Sequence, residues 1–122
     1  MSYDPNNIFA RILRGEIPCK KVYENDHALA FHDINPQTPV HVLVIPKGAY
    51  VSAQDFGEKA SPEEAAGLMQ AVAAVSRQLD VVDGGYRLLA NHGRNAHQEV
   101  PHFHFHIFAG KDLGRMIKPP EA

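Results

Sequence analysis

The chain has one cysteine, Cys19, so it carries no internal disulfide and no cysteine framework for zinc. No apolar run approaches the roughly 20 residues of a membrane-spanning helix, and no signal-peptide pattern opens the sequence. Twelve basic against fourteen acidic residues leave a formal charge of −2, which supplies no electrostatic footprint for nucleic acid. A mononucleotide stays compatible, because local dipoles matter there more than net charge. Neither G-x-G-x-x-G nor G-x-x-x-x-G-K-[ST] occurs, so a Rossmann or P-loop reading has no support. Internal repeats and low-complexity tracts are also missing. These absences lead us to expect one soluble domain of a reducing compartment, cytoplasmic, with no nucleic-acid and no membrane partner. Its 122 residues, 44% of them apolar, suffice for a single core.

Histidine is what the chain has in excess. Five of its eight histidines fall between His92 and His106, and three of them alternate with large apolar residues in "HFHFHIF". The surrounding pattern predicts an α+β fold. Residues 1–6 read as a loose lead-in. Asn7 then caps a short helix in which Ile8, Phe9, Ile12 and Leu13 share a face, with Gly15 at its C′ position and Pro18 beyond. Strand-like runs follow in "KKVYE" and "ALAFHDI", joined by a turn at "NDH", and then in "HVLVIP", whose continuous apolar run marks burial. "SPEE" opens the clearest helix: Ser61 caps it, Pro62 takes the first position and Glu64 completes a capping box, with helical spacing to about Leu79. "YRLLAN" and "HFHFHIF" complete the strands, separated by the polar loop "HGRNAHQEVP". The expected architecture is two helices covering one face of a mostly antiparallel sheet of five strands. The tail, residues 111–122, is expected to be loosely ordered.

On a strand, His102, His104 and His106 project to one face at intervals of about 7 Å, and Phe103, Phe105 and Ile107 pack into the core behind them. Three readings compete. The polar face of an amphipathic strand happens to be histidine; or the imidazoles ligate a metal; or they act on a phosphate. Three ligands on one straight strand fit a tetrahedral ion poorly, since the outer two lie about 13 Å apart at Cα, and His41 or His92 would have to help. The third reading uses every feature. A neutral imidazole is nucleophilic, a charged one donates protons, and neighbouring rings lower one another's pKa by like-charge repulsion. Asn91 and Gln98 stand ready to clamp phosphate oxygens.

"HFHFHIF" resembles the His-φ-His-φ-His-φ-φ motif of the histidine-triad (HIT) superfamily. "NIFARILRGEIPCKKVYENDHALAFHDINPQTPVHVLVIPK" resembles the amino-terminal half of its Hint branch, the nucleoside phosphoramidases, and "YRLLANHG" with "QEVPHFHFHIFAG" resembles the carboxy-terminal half. Coverage runs from about Asn7 to Gly110. The resemblance implies one HIT domain over residues 1–122, with a sheet continued across a homodimer. It implies hydrolysis of adenosine 5′-phosphoramidate-type substrates to AMP and an amine, without metal or other cofactor. By position, His104 matches the nucleophile that forms a nucleotidyl-histidine intermediate. His102 and His106 match the pair that orients it and contacts phosphate, and His41 matches a fourth histidine completing the site. Asp33 matches the carboxylate that binds ribose hydroxyls. Ile8, Phe9, Phe31, His32, Ile34 and Leu43 match the walls around a purine base. Asn91, Gln98 and Glu99 match the loop facing phosphate and leaving group.

Each assignment has a plainer counterpart: Phe9, Phe31 and Leu43 suit any core, Asp33 suits a turn cap, and His27, His92 and His97 suit loops. The superfamily also contains dinucleoside polyphosphate hydrolases, which share three histidines, whereas its uridylyltransferases carry glutamine where this chain has His106. A nucleotide-binding or scaffold protein with incidental catalysis is the alternative from another class. Two positions depart from the pattern: His97 stands where the family commonly has glycine, and Glu99 where some eukaryotic members have serine. If position 97 demands a positive φ, histidine carries strain there. The tail also lacks the tryptophan that some relatives place near the partner's site.

Overall fold

The structure, a computed structural model, describes residues 2–116. Three α-helices and five strands follow in chain order: α1 (Ile8–Leu13), β1 (Lys21–Glu24), β2 (Ala28–His32), β3 (Val40–Pro46), α2 (Ala53–Lys59), α3 (Pro62–Gln78), β4 (Tyr86–Leu89) and β5 (Phe105–Ala109). The strands make one sheet in the order β1-β2-β3-β5-β4, with every neighbouring pair antiparallel. The expected α+β class and five-stranded sheet are what the chain forms.

Local chemistry accounts for most element ends. Asn7 accepts from the Ala10 amide at the start of α1, and Gly15 leaves that helix at φ +80°. At α3, Ser61 Oγ accepts from the Glu64 amide while the Glu64 carboxylate accepts from the Ser61 amide, so two amides the helix leaves free are satisfied reciprocally. The turn between β1 and β2 is held by Asn25, whose Oδ1 accepts from the His27 and Ala28 amides.

Alternation along the strands divides the core into two. Ala28, Ala30, Val42, Val44, Phe103 and Ile107 pack with Leu68, Ala71, Val72 and Val75 of α3. Leu29, Phe31, Leu43 and Ile45 point the other way and pack with Phe9, Ile12 and Leu13 of α1. Burial of each Leu or Val on the α3 side is worth about 1.5–3 kcal/mol.

The structure corrects three expectations. First, the helices do not cover one face: α1 and α3 lie on opposite faces, because the apolar faces of β2 and β3 are buried on both sides. Second, a third helix, α2, links β3 to α3. It is only seven residues long, has one buried side chain, Phe56, and contains Gly57, so its helical period is weak. Its signal was Ser52 three residues before Asp55: Ser52 caps the Asp55 amide, and the Asp55 carboxylate reaches back to the Val51 amide. Third, the regular histidine strand begins only at Phe105. The register pairs Val44 with Phe105, so further pairing would bring residue 103 opposite Pro46, which has no amide hydrogen to give. The Phe103 amide donates instead to the Tyr50 carbonyl, 2.7 Å away.

The lead-in is tied to the domain at Tyr3, whose hydroxyl meets His102, and at Pro5, whose carbonyl accepts from Arg14. In the tail, Arg87 donates to the carbonyls of Leu113 and Gly114. The rest of the segment expected to be loose, residues 117–122, lies outside the described residues. No helix among the described residues is long and apolar enough to cross a membrane.

Candidate active site

Where α1 ends, the α1 face of the sheet opens into a cavity of about 630 Å³. His104 and His106 project into it from the end of the polar loop and from β5, and His41 reaches it from the adjacent strand β3. The ring centroids of His104 and His106 are 5.0 Å apart, and Phe9 meets the His104 ring edge-on at 4.9 Å. His102 is different. It is fully buried and lies outside the cavity lining.

Hydrogen-bond partners assign a tautomer to each ring. His104 Nδ1 lies 2.7 Å from the His102 carbonyl, which only accepts, so the proton is on Nδ1 and Nε2 keeps its lone pair. His102 Nε2 lies 2.8 Å from the Pro46 carbonyl and therefore donates, leaving Nδ1 to accept from the Tyr3 hydroxyl at 2.8 Å. The Gln37 amide donates to His41 Nδ1 at 3.1 Å, which puts the His41 proton on Nε2. That proton is directed at His106 Nδ1, 2.9 Å away, so His106 carries its own proton on Nε2. The cluster thus presents one bare nitrogen, on His104, beside a donor on His106.

Burial disfavours the charged form of all four rings. Burial pushes His102 and His106 down to about 4, and it lowers His104 and His41 as well. Desolvation is the leading cause throughout, and repulsion between imidazoles, the cause expected from the sequence, is secondary. The carboxylates of Asp33 and Glu99 oppose the shift at His104.

Asp33 stands at the end of β2, with Oδ1 accepting from the Asn35 amide and Oδ2 3.5 Å from His41 Nε2. It is therefore a turn cap and a member of the site together. Among the described residues, Asp33, His41 and His106 form one set with ligand-type atoms within 4.8 Å of one another. The family resemblance brings Asp33 to the site as a ribose ligand; its approach to His41 appears only in the fold. Both His41 nitrogens are engaged within the protein, so a cation at this set would have to displace the His41–His106 hydrogen bond.

The other expected residues also border the cavity. Phe9, Phe31 and Leu43 form its buried floor, and Ile8 and Ile34 stand exposed at its mouth with His32. Asn91, Gln98 and Glu99 border it from the polar loop. Gln98, however, has its amide engaged in the loop: Oε1 accepts from the Gly93 amide and meets His92 Nδ1, while Nε2 donates to the carbonyls of Val51 and Val100. Its arrangement is that of a loop brace, not of a group turned to a ligand. His97 adopts the left-handed conformation, φ 57° and ψ 45°, so the position does demand the backbone that favours glycine, and its residue lines the cavity. Two residues were missed, Tyr3 and Gln37. Tyr3 acts through a contact far along the chain, and Gln37 through its backbone amide on His41 four residues on, which depends on the path of the loop and not on residue type.

The HIT domain family matches residues 14–113 of the chain. The chain belongs to the HIT family. A 13.2 kDa HIT-like protein of Azospirillum brasilense is 64% identical over 116 residues, which is 95% of either chain. The purine nucleoside phosphoramidase of Escherichia coli K12 is 42% identical over 111 residues, covering 90% of this chain and 92% of that one. A HIT family hydrolase from Clostridium thermocellum superposes with a TM-score of 0.84 at 35% identity, covering 93% of this chain and 97% of that structure. In the terms of the HIT motif, the first histidine here is a buried structural ring, the second offers the bare nitrogen, and the third is joined to His41. The expectation that His102 touches phosphate is corrected, because both its nitrogens are satisfied inside the protein.

Proposed function

We propose that the protein is a purine nucleoside phosphoramidase, hydrolysing adenosine 5′-phosphoramidate-type substrates to AMP and an amine through a nucleotidyl-histidine intermediate. One observation carries the reading: His104 has its proton held on Nδ1 by the His102 carbonyl, which leaves Nε2 as a nucleophile in the cavity. Nε2 attacks the α-phosphorus and the P–N bond breaks. The amine leaves with a proton taken from solvent at the cavity mouth. The nucleotidyl imidazolium keeps its Nδ1–H on the His102 carbonyl, whose dipole stabilises the new positive charge. The His106 Nε2–H supports the phosphoryl oxygens. Water then attacks phosphorus, breaking the bond to His104 and releasing AMP; the water's proton passes to solvent and Nε2 regains its lone pair.

The remaining cavity suits a nucleoside. Ile8 and Ile34 at the mouth offer apolar surface to a flat base over the floor of Phe9, Phe31 and Leu43. Asp33 Oδ2 is the acceptor for ribose hydroxyls. The E. coli relative bears the same activity in its name. The second copy implied by the family resemblance would extend the sheet at the β4 edge, beside exposed Tyr86, and sedimentation would test it.

Intact-protein mass after rapid quench with adenosine 5′-phosphoramidate tests the chemistry. A nucleotidyl adduct is expected on the wild type and not on His104→Ala. No adduct and no turnover, with tight AMP binding, would make the protein a nucleotide-binding module. Turnover of diadenosine polyphosphates in clear preference to phosphoramidates would move it to the polyphosphate hydrolases.

A further inference from the structure

Tyr3 precedes α1 and lies about a hundred residues from the triad, yet its hydroxyl is 2.8 Å from Nδ1 of His102. The two rings meet edge-on with centroids 5.6 Å apart. Because Nε2 of His102 must donate to the Pro46 carbonyl, Nδ1 is left as an acceptor, and the Tyr3 hydroxyl is the group that fills it. The same residue, His102, accepts the Nδ1–H of His104 through its backbone carbonyl. One residue therefore stands between the Tyr3 hydroxyl and the ring that presents the bare nitrogen.

The segment carrying Tyr3 is itself anchored. Asp4 accepts from the Asn6 amide through Oδ1, and its carbonyl accepts from the Asn7 side chain. Asn7 caps α1, and Phe9 of α1 packs edge-on against the rings of both His102 and His104. The beginning of the chain thus forms a continuous backing for the first two histidines, and Tyr3 closes its far end. Tyr3 is outside the cavity lining, so it has no route to the substrate itself.

We propose that Tyr3 is a positioning residue for His104: its hydroxyl locks the His102 ring, and the His102 carbonyl then holds the His104 Nδ1–H so that Nε2 faces the cavity. The consequence rests on the reading of His104 as nucleophile. Removing the hydroxyl leaves a buried acceptor on His102 without a donor, and the ring relieves this only by shifting. The ring is fully buried between Phe9 and the Pro46 carbonyl, so a shift is passed to the residue 102 backbone, which moves the carbonyl and misdirects Nε2.

The test compares the full-length wild type with Tyr3→Phe, which keeps the ring and loses only the hydroxyl. With adenosine 5′-phosphoramidate, kcat is expected to fall about tenfold while KM stays within about twofold. In protein carrying ¹⁵N-histidine, His102 Nδ1 is expected to move downfield as it loses its donor, and the His104 Nδ1–H resonance to move with it. Thermal melts of both proteins verify that the measured chains are folded. A His104 resonance that stays in place overturns the proposal whatever turnover does. In an active enzyme, a kcat within about twofold of wild type overturns it as well. A wild type with no phosphoramidase turnover would retire the hydrolase reading instead, and the His104 resonance alone would then decide the positioning.

Discussion

The two faces of the sheet are built from alternate residues of the same strands, Val42 and Val44 on one side, Leu43 and Ile45 on the other. On the first side lies α3, seventeen residues long; on the second lies α1, with six. At helical rise these span about 26 Å and about 9 Å, so α3 crosses the sheet and α1 covers only part of it. The α3 face is a dry core. The α1 face is half core and half cavity, and the histidines stand at the boundary. A short helix therefore leaves the site, and the strands below it are held rigid by the packing on their other side.

Substitutions on the two faces separate function from stability. His104→Ala is expected to lower turnover by about a thousandfold or more with little loss of stability, checked by steady-state kinetics and thermal melts. On the opposite face, Leu68→Ala should destabilise by about 2–5 kcal/mol in denaturant titration, with kcat little changed while the protein is folded.

Acid should act through the histidine face. His102 and His106 titrate near 4 in the folded chain against 6.5 as the ordinary value, so the unfolded chain binds more protons between these limits. Stability from these rings is complete above about pH 6.5 and is lost as pH falls toward 4. Urea titrations across that range should show it. His102→Phe, which carries no titratable group, should flatten the slope, and an unchanged slope would assign acid unfolding to other groups.

The smallest effect is expected at the mouth. His97→Gly relieves the left-handed backbone and should stabilise the chain by roughly 0.5–1 kcal/mol in the same titration. If stability falls instead, the His97 side chain makes contacts that outweigh the backbone strain.

The legible parts of the fold were those with strong local signals. The capping box at Ser61, the Asn7 cap and the apolar runs of β2 and β3 all appear in the structure near their expected bounds. The weak period of α2 hid it. The histidine run concealed a break, because alternation assigns a face and not a hydrogen-bonded partner: Pro46 ends the ladder before His104 and His102. In the site, every expected residue except His102 borders the cavity. Gln98 borders it with its amide already engaged, a fact that depends on Val51, forty-seven residues away.

By itself the sequence determined the chemistry on offer: an imidazole cluster on one side of a strand with an aromatic core behind it, on a chain of HIT family pattern. Residue type and a spacing of two suffice for that, since they are local. The tertiary structure decided which nitrogen is bare, which histidine is dry, and what holds each ring. An imidazole's proton goes where its partner dictates, and the partners Tyr3, His41 and Pro46 come from distant segments that only folding brings to the triad.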